Sequence, residues 1–346
     1  MLTKDNFTLE HVLELKKNRT VDSFILERCI YAFGLLEALC RVKMPFIFKG
    51  GTSLILLLEQ PGRLSTDIDI IVEPGTDVDH YLEEAGKIFP FEKVEQQIRK
   101  GKNSIEKRHY KYYYDSPVKG QTPFYISLDI LFEENHYSKV IRKAIKNELL
   151  ITEEPYYEVS LPSVDCILGD KLTAFAPHTT GIPFGVDKEL EIIKQMYDIA
   201  SLTDMTENFE DVTRSYMGTV ASEIRYRGLD AEAEDVLRDT LEAAACIASR
   251  GQYGEDYDRY LQGIRSIVTH VYDERFSAEK AAVMACKVMH IAVCVLKNIP
   301  YEHIKDYSAY IKAYISISRY SKLSKLRKFN AEGFAHVVKA IDILRE

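Results

Sequence analysis

Four absences limit what this chain is. No two of its six cysteines stand at CxxC spacing; they lie apart at positions 29, 40, 166, 246, 286 and 294. That argues against a disulfide framework and for a reducing compartment. No apolar run is long enough to span a bilayer, because the most apolar stretch, Ala281 to Leu296, is interrupted by Lys287 and His290. The opening MLTKDNFTLE lacks the apolar core of a signal peptide, so a cytoplasmic protein without a membrane partner is expected. Positive charge is not in excess either: the net charge is -8, which argues against indiscriminate coating of nucleic acid. A local basic groove stays compatible with it, since binding follows the local field.

What is there is an ordinary globular composition, 46% hydrophobic and 28% charged, in 346 residues. That length accommodates two domains. Thr8 and Asp22 stand as caps before helical patterns over 9–17 and 23–42. Phe46-Ile47-Phe48 reads as a brief strand, Thr52 to Glu59 as a buried helix, Pro61-Gly62 as a turn, and Asp67 to Val72 as a strand. A helix over 77–88 precedes three strands, 91–99, 106–115 and 123–132, rich in Tyr, Phe, Ile and Val. From Ser163 strand signals nearly vanish. Helices are expected over 163–175, 189–202, 209–227, 231–249, 257–272, 278–297 and 331–344, with no convincing repeat. The expected class is α+β: a mixed sheet with flanking helices, then a helical bundle. The expected division is 1–204 and 205–346.

The chemistry concentrates in two stretches, Lys49-Gly50-Gly51-Thr52-Ser53-Leu54 and Arg63-Leu64-Ser65-Thr66-Asp67-Ile68-Asp69-Ile70. Asp67 and Asp69 are two apart on a strand, so they share one face about 7 Å apart. Hard divalent Mg²⁺, or Mn²⁺, prefers such carboxylate oxygens, and a metal pair aligns the phosphates of an NTP. Asp129, charged within the apolar run Tyr125 to Leu131, is the candidate third carboxylate. Its expected role is to help remove the proton of the attacking hydroxyl. Gly50 and Gly51 let backbone approach phosphate, and a helix start favours anions. Thr52 and Ser53 are expected to add hydroxyl donors.

These residues resemble the AbiEii/AbiGii-type nucleotidyltransferase toxins, a branch of the DNA polymerase β-like superfamily. Lys49–Leu54 matches the family's K-G-G-[ST]-x-L turn, and Arg63–Asp69 its R-x-S-x-D-[IL]-D run. Asp170-Lys171-Leu172-Thr173-Ala174 matches a later D/E-K-L-x-A segment. Lys194-Gln195-Met196-Tyr197-Asp198-Ile199 matches K/R-D-x-Y-D-[IL] except that Gln195 stands where an acidic residue is common. The resemblance implies a polymerase β-like fold and metal-dependent transfer of a nucleotide from NTP to an acceptor. The acceptor end of tRNA is implied, with a toxin role in a type IV toxin–antitoxin or phage-defence (abortive infection) module. It also implies a cognate antitoxin partner. Asp67, Asp69, Asp129, Lys171 and Asp198 would then be catalytic, the first three binding metal. Lys49, Gly50, Gly51, Thr52, Ser53, Arg63, Ser65 and Lys171 would bind nucleotide. Transfer to a small molecule, as in aminoglycoside nucleotidyltransferases, is an alternative reading, and so is a non-catalytic nucleotide-binding module.

Other features carry two readings each. Cys286, His290 and Cys294, at i, i+4 and i+8, span about 12 Å of helix, too far for one ion, so packing is expected. Tyr110, Tyr112, Tyr113 and Tyr114 among Lys107, Arg108 and Lys111 fit a half-buried strand and also base stacking beside basic charge. Arg99-Lys100-Gly101-Lys102 reads as a hairpin tip. Arg319, Lys322, Lys325, Arg327 and Lys328 read as a soluble loop or as a contact for RNA phosphates.

Overall fold

Apolar residues at every second position set the central sheet. In the computed structural model, which describes residues 1–58, 62–98 and 106–345, five strands pair in the order β1-β2-β5-β4-β3. They are β1 (Ile47–Lys49), β2 (Ile68–Val72), β3 (Lys93–Gln97), β4 (Lys107–Ser116) and β5 (Thr122–Phe132). β2 and β5 run parallel, and the other neighbours antiparallel. Ile68, Ile70, Leu128, Ile130, Tyr110, Tyr112 and Tyr114 are buried. Asp69, Asp129, His109, Lys111 and Tyr113, one step out of phase, are half-buried. One face of the sheet is therefore core and the other polar.

The helices start where their caps predict. α1 (Leu9–Lys16) begins after Thr8, whose side chain accepts from the His11 amide. α2 (Ser23–Arg41) begins after Asp22, which accepts from the Phe24 and Ile25 amides. Tyr31 of α2 stacks on Tyr114 with ring centres 3.9 Å apart. Buried Glu27 accepts from the Tyr114 hydroxyl at 3.0 Å, the Ser116 hydroxyl at 2.7 Å and the Val118 amide at 2.8 Å. Those bonds pin the end of β4 to α2, while burial pushes the Glu27 carboxyl above its usual range. α3 (Gly50–Leu57) follows β1 directly, and α4 (Asp79–Ala85) accepts the Tyr112 hydroxyl on Leu82 at 3.1 Å. Glu59 and Pro61 of the expected helix end and turn lie outside the described residues, as does the hairpin tip Arg99–Lys102.

Two strands escape the sequence reading, β6 (Val140–Ala144) and β7 (Glu158–Pro162), which pair antiparallel as a separate ribbon. β6 carries Arg142 and Lys143 and does not alternate, and β7 alternates over only four residues before Pro162, too short a run to stand out.

Residues Met1–Asn135, Lys139–Ser163 and Thr269–Arg275 form one compact unit. Residues His136–Ser138, Val164–Val268 and Phe276–Glu346 form a second. The second contains α5 (Val164–Ala174), α6 (Glu189–Thr203), α7 (Phe209–Arg227), α8 (Ala233–Ala248), α9 (Tyr257–Ser266), α10 (Ala278–Lys297) and α11 (Ala331–Arg345). The expected division at residue 204 falls inside this unit, where α5 packs on α7 and α6 on α10. The helix expected over 257–272 ends at Ser266, because Thr269–Arg275 returns to the first unit.

Cys286, His290 and Cys294 are buried in α10, as packing predicts. The His290 and His336 Nδ1 atoms are 3.1 Å apart, and burial pushes both imidazoles down to about 3, so both are neutral near pH 7. Burial likewise holds the Cys286 thiol well above its usual range and pushes that of Cys294 up to about 12, which leaves both thiols unreactive.

Candidate active site

Strand register gathers a row of polar residues across the sheet. Lys49 of β1 is opposite Asp69 of β2, Asp69 opposite Asp129 of β5, and Asp129 opposite His109 of β4. Residues opposite one another in a ladder project to the same side. Asp69 and Asp129 are thus neighbours on the polar face although sixty positions separate them in sequence. His109 Nδ1 lies 2.6 Å from Asp129 Oδ1, which fixes that carboxylate and its neighbour's ring orientation. Sequence reasoning missed His109; a histidine among strand tyrosines shows no partner until register is known.

The glycine turn closes against the same row. Gly50 has φ +80°, a conformation that favours glycine. A Cβ on it would stand 2.1 Å from Asp69 Oδ2. A Cβ on Gly51 would stand 2.8 Å from Ser65 Oγ and 2.9 Å from Arg63 Nη2. The bare backbone of both glycines is therefore the surface on which Asp69, Ser65 and Arg63 rest. Lys49 is the N-cap of α3, with extended backbone. Thr52 and Ser53 are both fully buried. The Thr52 hydroxyl donates to the Asp67 carbonyl at 2.6 Å, and that of Ser53 to the Gly50 carbonyl at 2.8 Å. The Thr52 bond ties the turn to the residue before β2, and the Ser53 bond closes the turn on itself.

Asp67 stands just before β2, and Arg28 Nη2 of α2 lies 3.1 Å from its Oδ1. Arg28 is a second residue the sequence reading missed, since a lone arginine on an apolar helix carries no motif. Among the described residues no group of three or more His, Cys, Asp or Glu side chains stands close enough to hold a metal ion. The donor chemistry nevertheless suits a hard divalent cation: Asp69 and Asp129 are side-by-side carboxylates, and Gly50 keeps the space at Asp69 clear of a side chain. Asp67, directed to Arg28, and Asp129, directed to His109, each have one oxygen engaged by a cationic or ring nitrogen.

Arg63 is braced from far along the chain. The Leu64 amide donates to the His270 carbonyl at 2.8 Å, and the Tyr272 amide to the Gly62 carbonyl at 3.0 Å. Arg63 pairs with Val271 as an isolated bridge, and its guanidinium is buried, with Nη1 donating to the Leu64 carbonyl at 3.3 Å.

Lys171 and Asp198 belong to the second unit. Lys171 Nζ lies 3.0 Å from Asp198 Oδ2, with side-chain exposures of 9% and 1%. It also donates to Gln195 Oε1 at 2.8 Å. Gln195 and Asp198, one turn apart on α6, together hold the ammonium, so Gln195 supplies an acceptor where the resemblance has an acid. Asp198, buried and paired, is placed to position Lys171. Asp198→Ala leaves a buried ammonium with half its partners; we expect a loss of about 3–5 kcal/mol. Urea unfolding measures it, and a loss under 1 kcal/mol would mean the pair does not hold the helices together.

The tyrosines of β4 divide as the strand alternates. Tyr110, Tyr112 and Tyr114 are core, whereas Tyr113 lies on the polar face, its ring centre 5.8 Å from that of Tyr125. Lys111 Nζ lies 3.9 Å from the Tyr125 ring centre.

A family model described as "Nucleotidyl transferase AbiEii toxin, Type IV TA system" matches residues 35–278. The chain belongs to this family. It is accordingly a nucleotidyltransferase of the AbiEii toxin kind, and its α+β architecture with a mixed sheet agrees with that class. Membership implies an NTP substrate and an antitoxin partner. The match spans the glycine turn, all three carboxylates, Lys171 and Asp198, and stops at the first residue of α10. No curated protein gave a match. No helix among the described residues is long and apolar enough to cross a membrane.

Proposed function

We propose that this AbiEii-type toxin moves a nucleotide from an NTP to an RNA acceptor, the 3′ end of tRNA, in a metal-dependent reaction serving phage defence. The observation that carries the reading is the pairing of Asp69 with Asp129 beside a glycine whose missing side chain leaves room for the Asp69 carboxylate. Asp67, Asp69 and Asp129 would hold Mg²⁺ or Mn²⁺, which when bound offsets charge building on phosphate oxygens. Backbone amides at the Gly50-Gly51 start of α3 receive phosphate oxygen, with Arg63 and Ser65 beside them. Lys49, at the strand end, adds positive charge to that region. His109 orients Asp129, which takes the proton from the attacking hydroxyl. Lys171 serves the triphosphate as the family pattern implies, and Asp198 with Gln195 keeps its ammonium in place.

Each radiolabelled NTP, incubated with the protein, Mg²⁺ and total tRNA, tests the proposal. Label on RNA that is removed by a 3′ exonuclease is the expected result. Label on the protein alone, or on a small molecule with RNA untouched, would overturn the RNA acceptor. Binding of NTP without transfer to anything would overturn catalysis.

A further inference from the structure

A tripeptide pattern hides beyond the last residue of the family match. Ser318 to Phe329 reads Ser-Arg-Tyr, Ser-Lys-Leu, Ser-Lys-Leu, Arg-Lys-Phe. Three residues make one turn of 3₁₀-helix, so side chains three apart eclipse, and for that reason long runs are uncommon. Here Ser318–Lys328 is 3₁₀ over 11 residues, and the eclipsing is put to use. The third position of each triplet makes an apolar row: Tyr320 and Leu323 are buried and Leu326 half-buried, with the segment packed on α11. The second position makes a cationic row: Arg319, Lys322, Lys325 and Lys328 are all exposed. At about 2 Å rise per residue, successive cations are roughly 6 Å apart along the axis, comparable to neighbouring phosphates of one nucleic-acid strand.

Three further observations point to the ligand. From Tyr307 to Asn330 the chain has six Lys or Arg (312, 319, 322, 325, 327, 328) and no Asp or Glu, in a protein of net charge -8. Two aromatic rings that flank the row in sequence, Tyr314 and Phe329, are each 83% exposed. The row is anchored at two points: Arg319 bonds Glu242 and the Tyr253 hydroxyl, and Lys325 Nζ donates to Gln252 Oε1 at 2.7 Å. Regular cations beside exposed rings suit phosphates and unstacked bases together. A carboxylate-only chain such as poly-glutamate would satisfy the cations but give the rings no side chain to stack on.

We propose that this 3₁₀ row binds single-stranded RNA, with phosphates along Lys322, Lys325 and Lys328, Arg319 anchoring the row on Glu242, and bases stacked on Phe329 and Tyr314. The proposal deepens the reading above, since it rests on an RNA acceptor and assigns the surface that grips it. Fluorescence anisotropy of the full chain with a labelled oligouridine, between 50 and 200 mM salt, is the test, with an RNA duplex and poly-glutamate as competing probes. The wild type is expected to bind the single strand in preference to both. Lys322→Glu with Lys328→Glu should weaken binding about tenfold or more and reduce the log–log salt slope by about 1.4, or 0.7 per phosphate contact. Phe329→Ala should weaken it by about fivefold or more without changing the slope. Equal affinity in wild type and variants, or preference for poly-glutamate, would overturn the proposal. The parallel labelling assay separates the two readings. RNA labelled normally by variants that bind it unchanged sinks the row and leaves transfer standing. RNA binding that follows the row, with no RNA labelled, sinks the acceptor assignment and leaves the row.

Discussion

Asp69→Asn is expected to lower nucleotide transfer by a factor of about 10³ or more while the protein stays folded. The substitution keeps the shape of a half-buried strand residue and removes only its charge. Losing a carboxylate that holds a divalent cation forfeits several kcal/mol of transition-state stabilisation, and each 1.36 kcal/mol is tenfold in rate. Asp129→Asn should fall as far, because the two residues are register partners. It should also weaken the hold on His109, whose Nδ1 faces the carboxylate at 2.6 Å, because the asparagine oxygen still accepts but carries no charge. Single-turnover transfer from labelled NTP, together with thermal melting by circular dichroism, measures both halves of the expectation. A folded Asp69→Asn protein that keeps a tenth of wild-type activity would remove the carboxylate pair from the chemistry.

The second large effect is expected at Gly50, and its size comes from two separable causes. Alanine there meets φ +80°, a left-handed backbone that costs about 1–3 kcal/mol for a residue with a side chain. Its Cβ would also stand 2.1 Å from Asp69 Oδ2, a distance no structure tolerates, so the Asp69 carboxylate must move. Gly75 separates the causes. It has φ +82° and nothing within 4 Å of a built Cβ. Gly75→Ala should lower the melting temperature by a few degrees and leave transfer near wild type. Gly50→Ala should lower it comparably or more and reduce transfer about 100-fold or further, since a carboxylate displaced by an ångström loses its alignment. Similar activity in the two variants would show that the turn matters only for folding.

Much of this arrangement was legible in the sequence because it rests on local signals. Thr8 and Asp22 cap the helices they precede, and alternation over 106–132 gives the two long strands. The glycine turn and the Asp-x-Asp strand are contiguous, so their motif reads directly. What stayed hidden depends on register or on return of distant chain. No local pattern tells that β2 pairs with β5 in parallel so that Asp69 meets Asp129, or that His109 is the next residue along the row. Arg28 reaches Asp67 from a helix whose sequence shows only packing. Thr52 and Ser53 look like donors in a motif, yet burial and carbonyl partners turn them inward. The three-residue period at 318–329 is plain once a 3₁₀-helix gives it meaning, and is invisible to a search at helical or strand periods.

The strap at Thr269–Arg275 has a consequence for how the toxin comes into being on the ribosome. Gly62 and Leu64 emerge early, but the carbonyl and amide that pair with them, on His270 and Tyr272, are synthesised only after most of the chain. Until then the loop bearing Arg63 has no backbone partner, so the side of the glycine turn on which Arg63 rests forms only once that later segment has emerged and docked.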